Sequence, residues 1–447
     1  MGHAEFKLEG DLSARTFSMD EYWMPFTPGR DFRHEPKMVV RAEGMYLWNE
    51  RGEQLIDANS GLFCVNAGHC RREIADAVSA QLRELDFIAP FTRGHPGQFE
   101  LATRLAALTP GDLNRIFFAN SGSEAVDTAM KVALAYWQAK GQGGRTMFVS
   151  RERAYHGVNF GGTSLAGLVN NRRRFGPTLP GIAHMRHTHL PENRLVPGEG
   201  AHGAELADDL SRFVNLYGAE NIAACFVEPI AGSTGCLVPP VGYLARLREI
   251  CDRHGILLVF DEVITGFGRT GAPFGAQSFG VTPDLMTMAK GLTNGAQPMG
   301  AVAVSERVHD AIVGAAAEGA IEFFHGYTYS GHPAACAAGL ATLDIYRDEG
   351  LFERGRALSP YLLEGLFSLR DVPVVADIRG YGMMGAIDVQ PDAVPGRRGH
   401  LLQKRLFDNG LHLKSTGDAA IVAPPLVADR SHVDTIVDIL RRTLRAL

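Results

Sequence analysis

The feature that most constrains this chain is an alternation in its middle third. Short apolar runs at Arg115–Ala119, 146–150, Ile222–Val227 and 256–260 are separated by stretches with apolar residues at helical spacing, as in 125–140 and 241–254. Runs of this length, apolar on both faces, read as strands buried on both sides. Strands alternating with helices predict an α/β fold, a mainly parallel sheet covered by helices on both faces. In such sheets ligands bind beyond the carboxyl ends of the strands, so residues just after each run are the first candidates for function.

The flanking segments follow other patterns. Residues 20–36 are rich in Pro, aromatics and charge and suit an irregular arm. Residues 38–58 read as a small antiparallel meander turning at Asn49-Glu50-Arg51-Gly52. Ile74, Val78, Leu82 and Leu85 mark one helix face, and Leu101, Leu105 and Leu108 another. After about Glu322, helical patterns at 333–349, 351–369, 400–409 and 430–447 interleave with short strands near 374–378, 385–389 and 411–414. The expected division is an arm and meander (1–70) packing with the small domain, a large domain (71–321) and a smaller α+β domain (322–447).

Composition excludes several classes. A net charge of -6 over 447 residues argues against nucleic acid, and Arg172-Arg173-Arg174 reads as a solvated loop. No apolar run is long enough to span a membrane, and the first twenty residues lack a signal peptide's apolar core. Six scattered cysteines without metal-type spacing read as reduced thiols in a cytoplasmic protein.

Four constellations sit where the alternation predicts function. Lys290 ends the apolar run 285–289 and is followed by Gly291, in a chain with few lysines. An amine held in apolar surroundings has a depressed pKa and can attack carbonyls, although a lysine at a turn is more often a surface amine. Ser121-Gly122-Ser123 joins a strand to a helix. Free first-turn amides, two hydroxyls and a glycine suit a phosphate; the same triplet suits an ordinary serine N-cap with Glu124 in the first turn. Asp261-Glu262 follows the run 256–260, placing a carboxylate where a protonated pyridine nitrogen would stabilise it, or where it caps the next turn. Tyr155-His156-Gly157 offers a face for a flat ring and an imidazole, or simply a packed loop aromatic.

Two other patterns are set aside. Gly380-Tyr381-Gly382-Met383-Met384-Gly385 matches a dinucleotide-binding glycine pattern, but leads into a strand-like run where that fingerprint needs a helix. His184, His187 and His189 have no carboxylate or cysteine at ligand spacing, so they read as solvated loop histidines and no metal site is expected.

Together the constellations resemble the class III (ω-) aminotransferases, which carry pyridoxal 5′-phosphate on the fold-type I scaffold. The likeness rests on an ordered series over nearly the whole chain: Asn120 to Ala125, Tyr155-His156-Gly157, Glu228-Pro229-Ile230, Asp261-Glu262-Val263 with Gly266 to Gly271, Ala289-Lys290-Gly291, and His325 to Pro333. Within that family Trp23-Met24-Pro25-Phe26-Thr27, Asn66-Ala67-Gly68-His69 and Arg93-Gly94-His95-Pro96 are similar to the β-alanine (ω-amino acid):pyruvate aminotransferases.

The resemblance implies that Lys290 bonds the cofactor aldehyde and then carries protons. It implies that Asp261 pairs with the pyridine nitrogen, and that Ser121, Gly122 and Ser123 hold the phosphate. Tyr155 would stack on the ring with His156 beside it, Val263 would pack the opposite face, and Glu228 would orient the region around Asp261. Tyr327 would be a further cofactor-binding residue, and Thr328 would reach the phosphate of a neighbouring subunit, making a homodimer or homotetramer with a shared site. The implied reaction transfers the terminal amino group of a β-alanine-like donor to pyruvate by a ping-pong cycle. Relatives built on the same residues act on other donors, such as taurine or 4-aminobutyrate, or isomerise or decarboxylate amines. Two departures bear on substrate. Phe63 stands where relatives usually have tryptophan, and with Phe26 and Phe91 would line an apolar pocket. Lys414 stands where the family commonly has an arginine that binds substrate carboxylate. Lysine brings charge without the bidentate fork, so weaker carboxylate recognition and more tolerance of simple amines are expected.

Overall fold

The computed structural model describes residues 5–7, 16–176 and 178–447. Among these residues the central sheet has seven strands, in the order Arg115–Ala119, Gly300–Val304, Leu285–Met288, Leu257–Asp261, Ile222–Val227, Met147–Arg151 and Ile182–Met185. All run parallel except Gly300–Val304, which is antiparallel to both neighbours.

Burial on both faces follows strand geometry, because successive side chains point to opposite sides. Ala224, Phe226, Leu257 and Val259 pack under the helix Gly122–Ala139, with its Val126, Ala129, Met130, Ala133 and Trp137. Their neighbours Cys225, Val227, Leu258 and Phe260 face the other way, against Leu210, Val214, Leu244 and Leu247. Truncating one of these, such as Leu258→Ala, leaves a cavity worth about 2–5 kcal/mol. Trp137 Nε1 adds a 2.9 Å bond to the Ala223 carbonyl, tying helix to sheet.

Two smaller sheets involve the C-terminal part. Val375–Tyr381, Met384–Val389, Ala419–Val422 and Lys414–Thr416 form an antiparallel sheet, in that order. The meander Val39–Glu43, Tyr46–Asn49 and Gln54–Asp57 accepts Leu411–His412 as a fourth, parallel strand. The single strand expected over 411–414 is therefore two, which part at Leu413 and enter different sheets. The glycine pattern at Gly380–Gly385 is a hairpin, with Gly380 opposite Gly385, which bears out its rejection as a dinucleotide site. No helix among the described residues is long and apolar enough to cross a membrane.

Candidate active site

Five parallel strands end on one edge of the central sheet, and the candidate residues follow them directly. Ala119 leads to Ser121, Arg151 to Tyr155, Val227 to Glu228, Leu257–Asp261 ends in Asp261, and Met288 leads to Lys290. Asp261 pairs in register with Thr287, so Asp261 and Lys290 leave adjacent strand ends.

The pair Asp261-Glu262 shows how strand alternation assigns roles. Asp261 Oδ2 lies 2.8 Å from His156 Nδ1, and Oδ1 accepts the Val263 N–H at 3.1 Å. Glu262 points the other way, accepting Gly275 N–H at 2.8 Å, Ala276 N–H at 2.6 Å and the Thr265 hydroxyl. Asp261 therefore faces the edge, while Glu262 caps the following turn. His156 is fully buried behind Asp261, and its Nε2 has no protein partner.

Glu228 accepts the Tyr155 N–H at 3.0 Å and the Gly232 N–H at 3.2 Å. Burial pushes its carboxyl up to about 7; His156 opposes the rise and the Asp261 carboxylate adds to it. The Tyr155 loop is fastened a second time, by Val158 N–H donating to Ser123 Oγ at 3.1 Å. That approach requires Gly157, whose φ is +95° and whose added Cβ would lie 2.6 Å from Ser123 Oγ. Burial raises the Tyr155 phenol above its usual range.

At the helix start Ser121 Oγ accepts Glu124 N–H at 3.2 Å, and Glu124 Oε2 accepts Asn120 N–H at 2.7 Å. The N-cap reading of Ser121 is thus correct. It does not compete with anion binding, because the Gly122 and Ser123 amides have no intrahelical acceptor. A Cβ on Gly122 would sit 2.9 Å from Val263 Cγ1, so the turn closes directly on that valine.

Lys290 adopts φ +51°, left-handed backbone that a non-glycine residue occupies only under constraint. Burial depresses its amine; the Cys64 thiol and the Asp261 and Glu228 carboxylates counteract this. Its Nζ stands 5.8 Å from the Phe63 ring centroid. Lys414 is also depressed, by burial and then by the charge of Lys290, and its side chain has no ion pair or hydrogen bond among the described residues. Phe63 therefore stands beside the Lys290 amine, and Lys414 is near enough to feel its charge. Phe26 and Phe91 are 79% and 55% exposed within one chain, and Thr328 is exposed too. Tyr327 lies along the helix Gly122–Ala139, its hydroxyl 3.2 Å from the Glu124 carbonyl and 3.3 Å from Thr128 Oγ1.

The histidine loop needs correction. His184 lies on a strand and meets the Leu165 and Ala166 carbonyls, and burial lowers both His184 and His187. His189 Nε2 is 3.0 Å from Asp377 Oδ2, a carboxylate 188 residues later. His189, Asp377 and Asp388 come within 4.8 Å of one another. Arg379 already pairs with both acids, at 2.5 Å and 2.7 Å, and Arg153 faces His189 Nδ1 at 2.8 Å. Those guanidinium groups supply the positive charge that a cation would otherwise bring.

The site also contains groups that local sequence did not single out. Asn294 (φ +53°) accepts Ala67 N–H at 2.8 Å and donates to the Gly68 carbonyl at 2.9 Å, fixing the Lys290 turn to the loop carrying Phe63. Fully buried Arg269 reaches Ser60 Oγ at 2.9 Å and the Met383 and Pro424 carbonyls at 3.0 and 2.6 Å. Only its place in the family-like run Gly266 to Gly271 marked it beforehand.

Comparison with known proteins agrees with this geometry. An ω-aminotransferase from Caulobacter vibrioides is 52% identical, over 95% of this chain and 97% of that protein. A β-alanine–pyruvate aminotransferase from Pseudomonas aeruginosa is 47% identical, over 95% of this chain and 96% of that protein. The solved structure of the ω-transaminase from Pseudomonas jessenii in complex with PMP matches with a TM-score of 0.90 at 34% identity, covering 96% of each chain. Residues 30–444 match the family model described as aminotransferase class-III. This chain belongs to the class III aminotransferases.

Proposed function

We propose that this enzyme moves the terminal amino group of an ω-amino acid or simple amine to pyruvate, with Lys290 as the reacting amine. The observation that carries this reading is the strained, desolvated Lys290 at the carboxyl edge, beside the strand that ends in Asp261. Relatives at 52% and 47% identity, named as an ω-aminotransferase and a β-alanine–pyruvate aminotransferase, support the substrate class.

The family's cofactor is pyridoxal 5′-phosphate, and the residues present fit it. The unpaired first-turn amides of Gly122 and Ser123 suit a phosphate dianion, and the close turn at Gly122 and Gly157 leaves backbone rather than side chain at that point. Asp261, held by His156 and Val263 N–H, is a fixed carboxylate ready for a protonated ring nitrogen. Tyr155 and Val263 are the side chains that would flank the ring. When bound, this cofactor supplies an aldehyde that captures amines and a ring that withdraws electrons from the donor carbon.

The chain's own contributions follow. Burial favours the neutral form of the Lys290 amine, the form that takes a proton from the donor's amine-bearing carbon. Asp261 stabilises positive charge at the ring nitrogen, and His156 keeps that carboxylate oriented. Glu228, with a carboxyl near 7, changes protonation close to neutral pH beside Asp261. Phe63 bounds the donor's apolar body, and Lys414 offers an unpaired cation to a donor or acceptor carboxylate.

The exposed Phe26, Phe91 and Thr328 complete the site only if a second copy packs against this edge, so the working unit in this reading is at least a homodimer. The arm and meander (1–70), large domain (71–321) and small domain (322–447) remain our proposed division, and the enzyme is placed in the cytoplasm. The test is a donor screen with pyruvate, following alanine formation. β-Alanine-like donors and short alkylamines are expected to support it; an acceptor other than a 2-keto acid, or amine loss without alanine, would redirect the assignment.

A further inference from the structure

Beyond the residues that face the reaction, one loop is held in a conformation that its own sequence disfavours. The strand Gln54–Asp57 leads into a turn with φ of +48° at Ser60, +64° at Gly61 and +59° at Phe63. Left-handed backbone is costly for serine and more so for a bulky aromatic, so it persists only where the surroundings over-determine it. The constraint here converges on one carboxylate. Asp57 is fully buried; its Oδ1 accepts Asn59 N–H at 2.9 Å and its Oδ2 accepts Gly61 N–H at 2.6 Å. The same Oδ2 lies 2.7 Å from His69 Nε2, which keeps the buried carboxylate from being unpaired. His412 Nε2 stands 3.2 Å from the Gly61 carbonyl, and its charge also acts on Asp57.

The product of this clamp is the position of Phe63. Its ring is 2% exposed and its centroid is 5.8 Å from Lys290 Nζ. His412 stands two residues before Lys414, so the cluster also fastens the segment that carries the second substrate-facing side chain.

We propose that Asp57, gripped by His69, is a positioning residue for donor selectivity: it holds Ser60–Phe63 in the left-handed turn that sets the wall of the donor pocket. This rests on the reading of Lys290 as the reacting amine. Neither residue touches substrate; both act through Phe63.

The experiment compares Asp57→Asn, His69→Leu and His69→Gln in the full-length holoenzyme. Asparagine has a single acceptor oxygen and cannot accept from both Asn59 N–H and Gly61 N–H, leucine removes the grip on Asp57, and glutamine keeps a side-chain N–H donor. Two quantities are read: kcat/KM with pyruvate for a short ω-amino acid against an arylalkylamine, and the alkylation rate of Cys64 by iodoacetamide, located by mass spectrometry. Cys64 follows Phe63, is half-buried and lies 3.2 Å from the Leu62 carbonyl through its Sγ, so its alkylation rate reports loop displacement without any turnover. We expect Asp57→Asn and His69→Leu to change the donor ratio about tenfold or more, mainly through KM, and to alkylate Cys64 several-fold faster. His69→Gln should stay within about twofold of the parent in both. Equal losses for both donors, or unchanged Cys64 protection in all three variants, would overturn the proposal. A parent enzyme that turns over no amine would instead sink the aminotransferase assignment, and Cys64 protection would still decide the clamp.

Discussion

His156 Nδ1 and Asp261 Oδ2 meet at 2.8 Å with both residues buried, and the remaining Asp261 oxygen is taken by the Val263 N–H at 3.1 Å. The carboxylate we propose for the cofactor's ring nitrogen is therefore fixed by two partners before anything binds.

Asp261→Asn removes the charge without changing shape, and kcat should fall on the order of 10²–10³-fold, as for other preorganised electrostatic groups. His156→Phe removes only the hydrogen bond that orients it. A bond to a charged group is worth about 1.5–3 kcal/mol, so the loss should be roughly 10- to 100-fold. Steady-state kinetics on both variants checks the order. A larger loss for His156→Phe would reverse the assignment of roles.

Glu228 gives a pH signature in the cofactor-free protein. Its folded-state carboxyl, pushed by burial from 4.5 to about 7, binds its proton more tightly than the unfolded chain does. The stability it contributes is fully present below pH 4.5 and is lost as pH rises through 7. Glu228→Gln carries no such loss. Relative to the parent, its unfolding free energy should therefore rise by about 3 kcal/mol between pH 4 and pH 8. Denaturant unfolding at both pH values measures the difference.

Gly157→Ala places a Cβ 2.6 Å from Ser123 Oγ and 2.7 Å from Ser123 Cα, at φ +95°. Backbone has to shift at the turn assigned to phosphate. The variant should lose about 1–3 kcal/mol of stability and retain the cofactor poorly. Dialysis followed by absorbance shows the loss of cofactor directly.

Lys414 is a half-buried ammonium without a counter-charge among the described residues, and it feels Lys290. Lys414→Met should lower kcat/KM for a β-alanine-like donor about 10- to 100-fold and leave a matched alkylamine nearly unchanged. Lys414→Arg should favour the carboxylate donor, because a guanidinium binds it through two bonds. Equal effects on both donors would remove Lys414 from substrate recognition.

Much of this site could be read from local sequence because a parallel sheet gathers its strand ends on one edge. Lys290, Asp261, Ser121–Ser123 and Tyr155 each follow an apolar run, so the strand pattern puts them on one edge, while their roles come from the family resemblance. What stayed hidden depended on distant partners or backbone conformation. Asp57 and His69 sit outside the central alternation, and nothing in 57–63 announces three left-handed residues. His189 reads as solvated from local sequence because its carboxylate comes from Asp377, on a hairpin late in the chain. The break at Leu413 was invisible because 411–416 pairs with two different sheets. Phe26 and Thr328 carry family-like motifs, yet they and Phe91 lie exposed on one copy.

The central claim is that Lys290 is the amine that bonds the cofactor aldehyde. The direct measurement is the visible absorbance of the purified holoenzyme before and after borohydride, followed by peptide mapping, with Lys290→Ala as the control. The parent should lose its visible band and carry the reduced cofactor on Lys290, while Lys290→Ala carries none and turns over no donor. Label on another lysine, or transamination by Lys290→Ala at parental rates, would contradict the assignment.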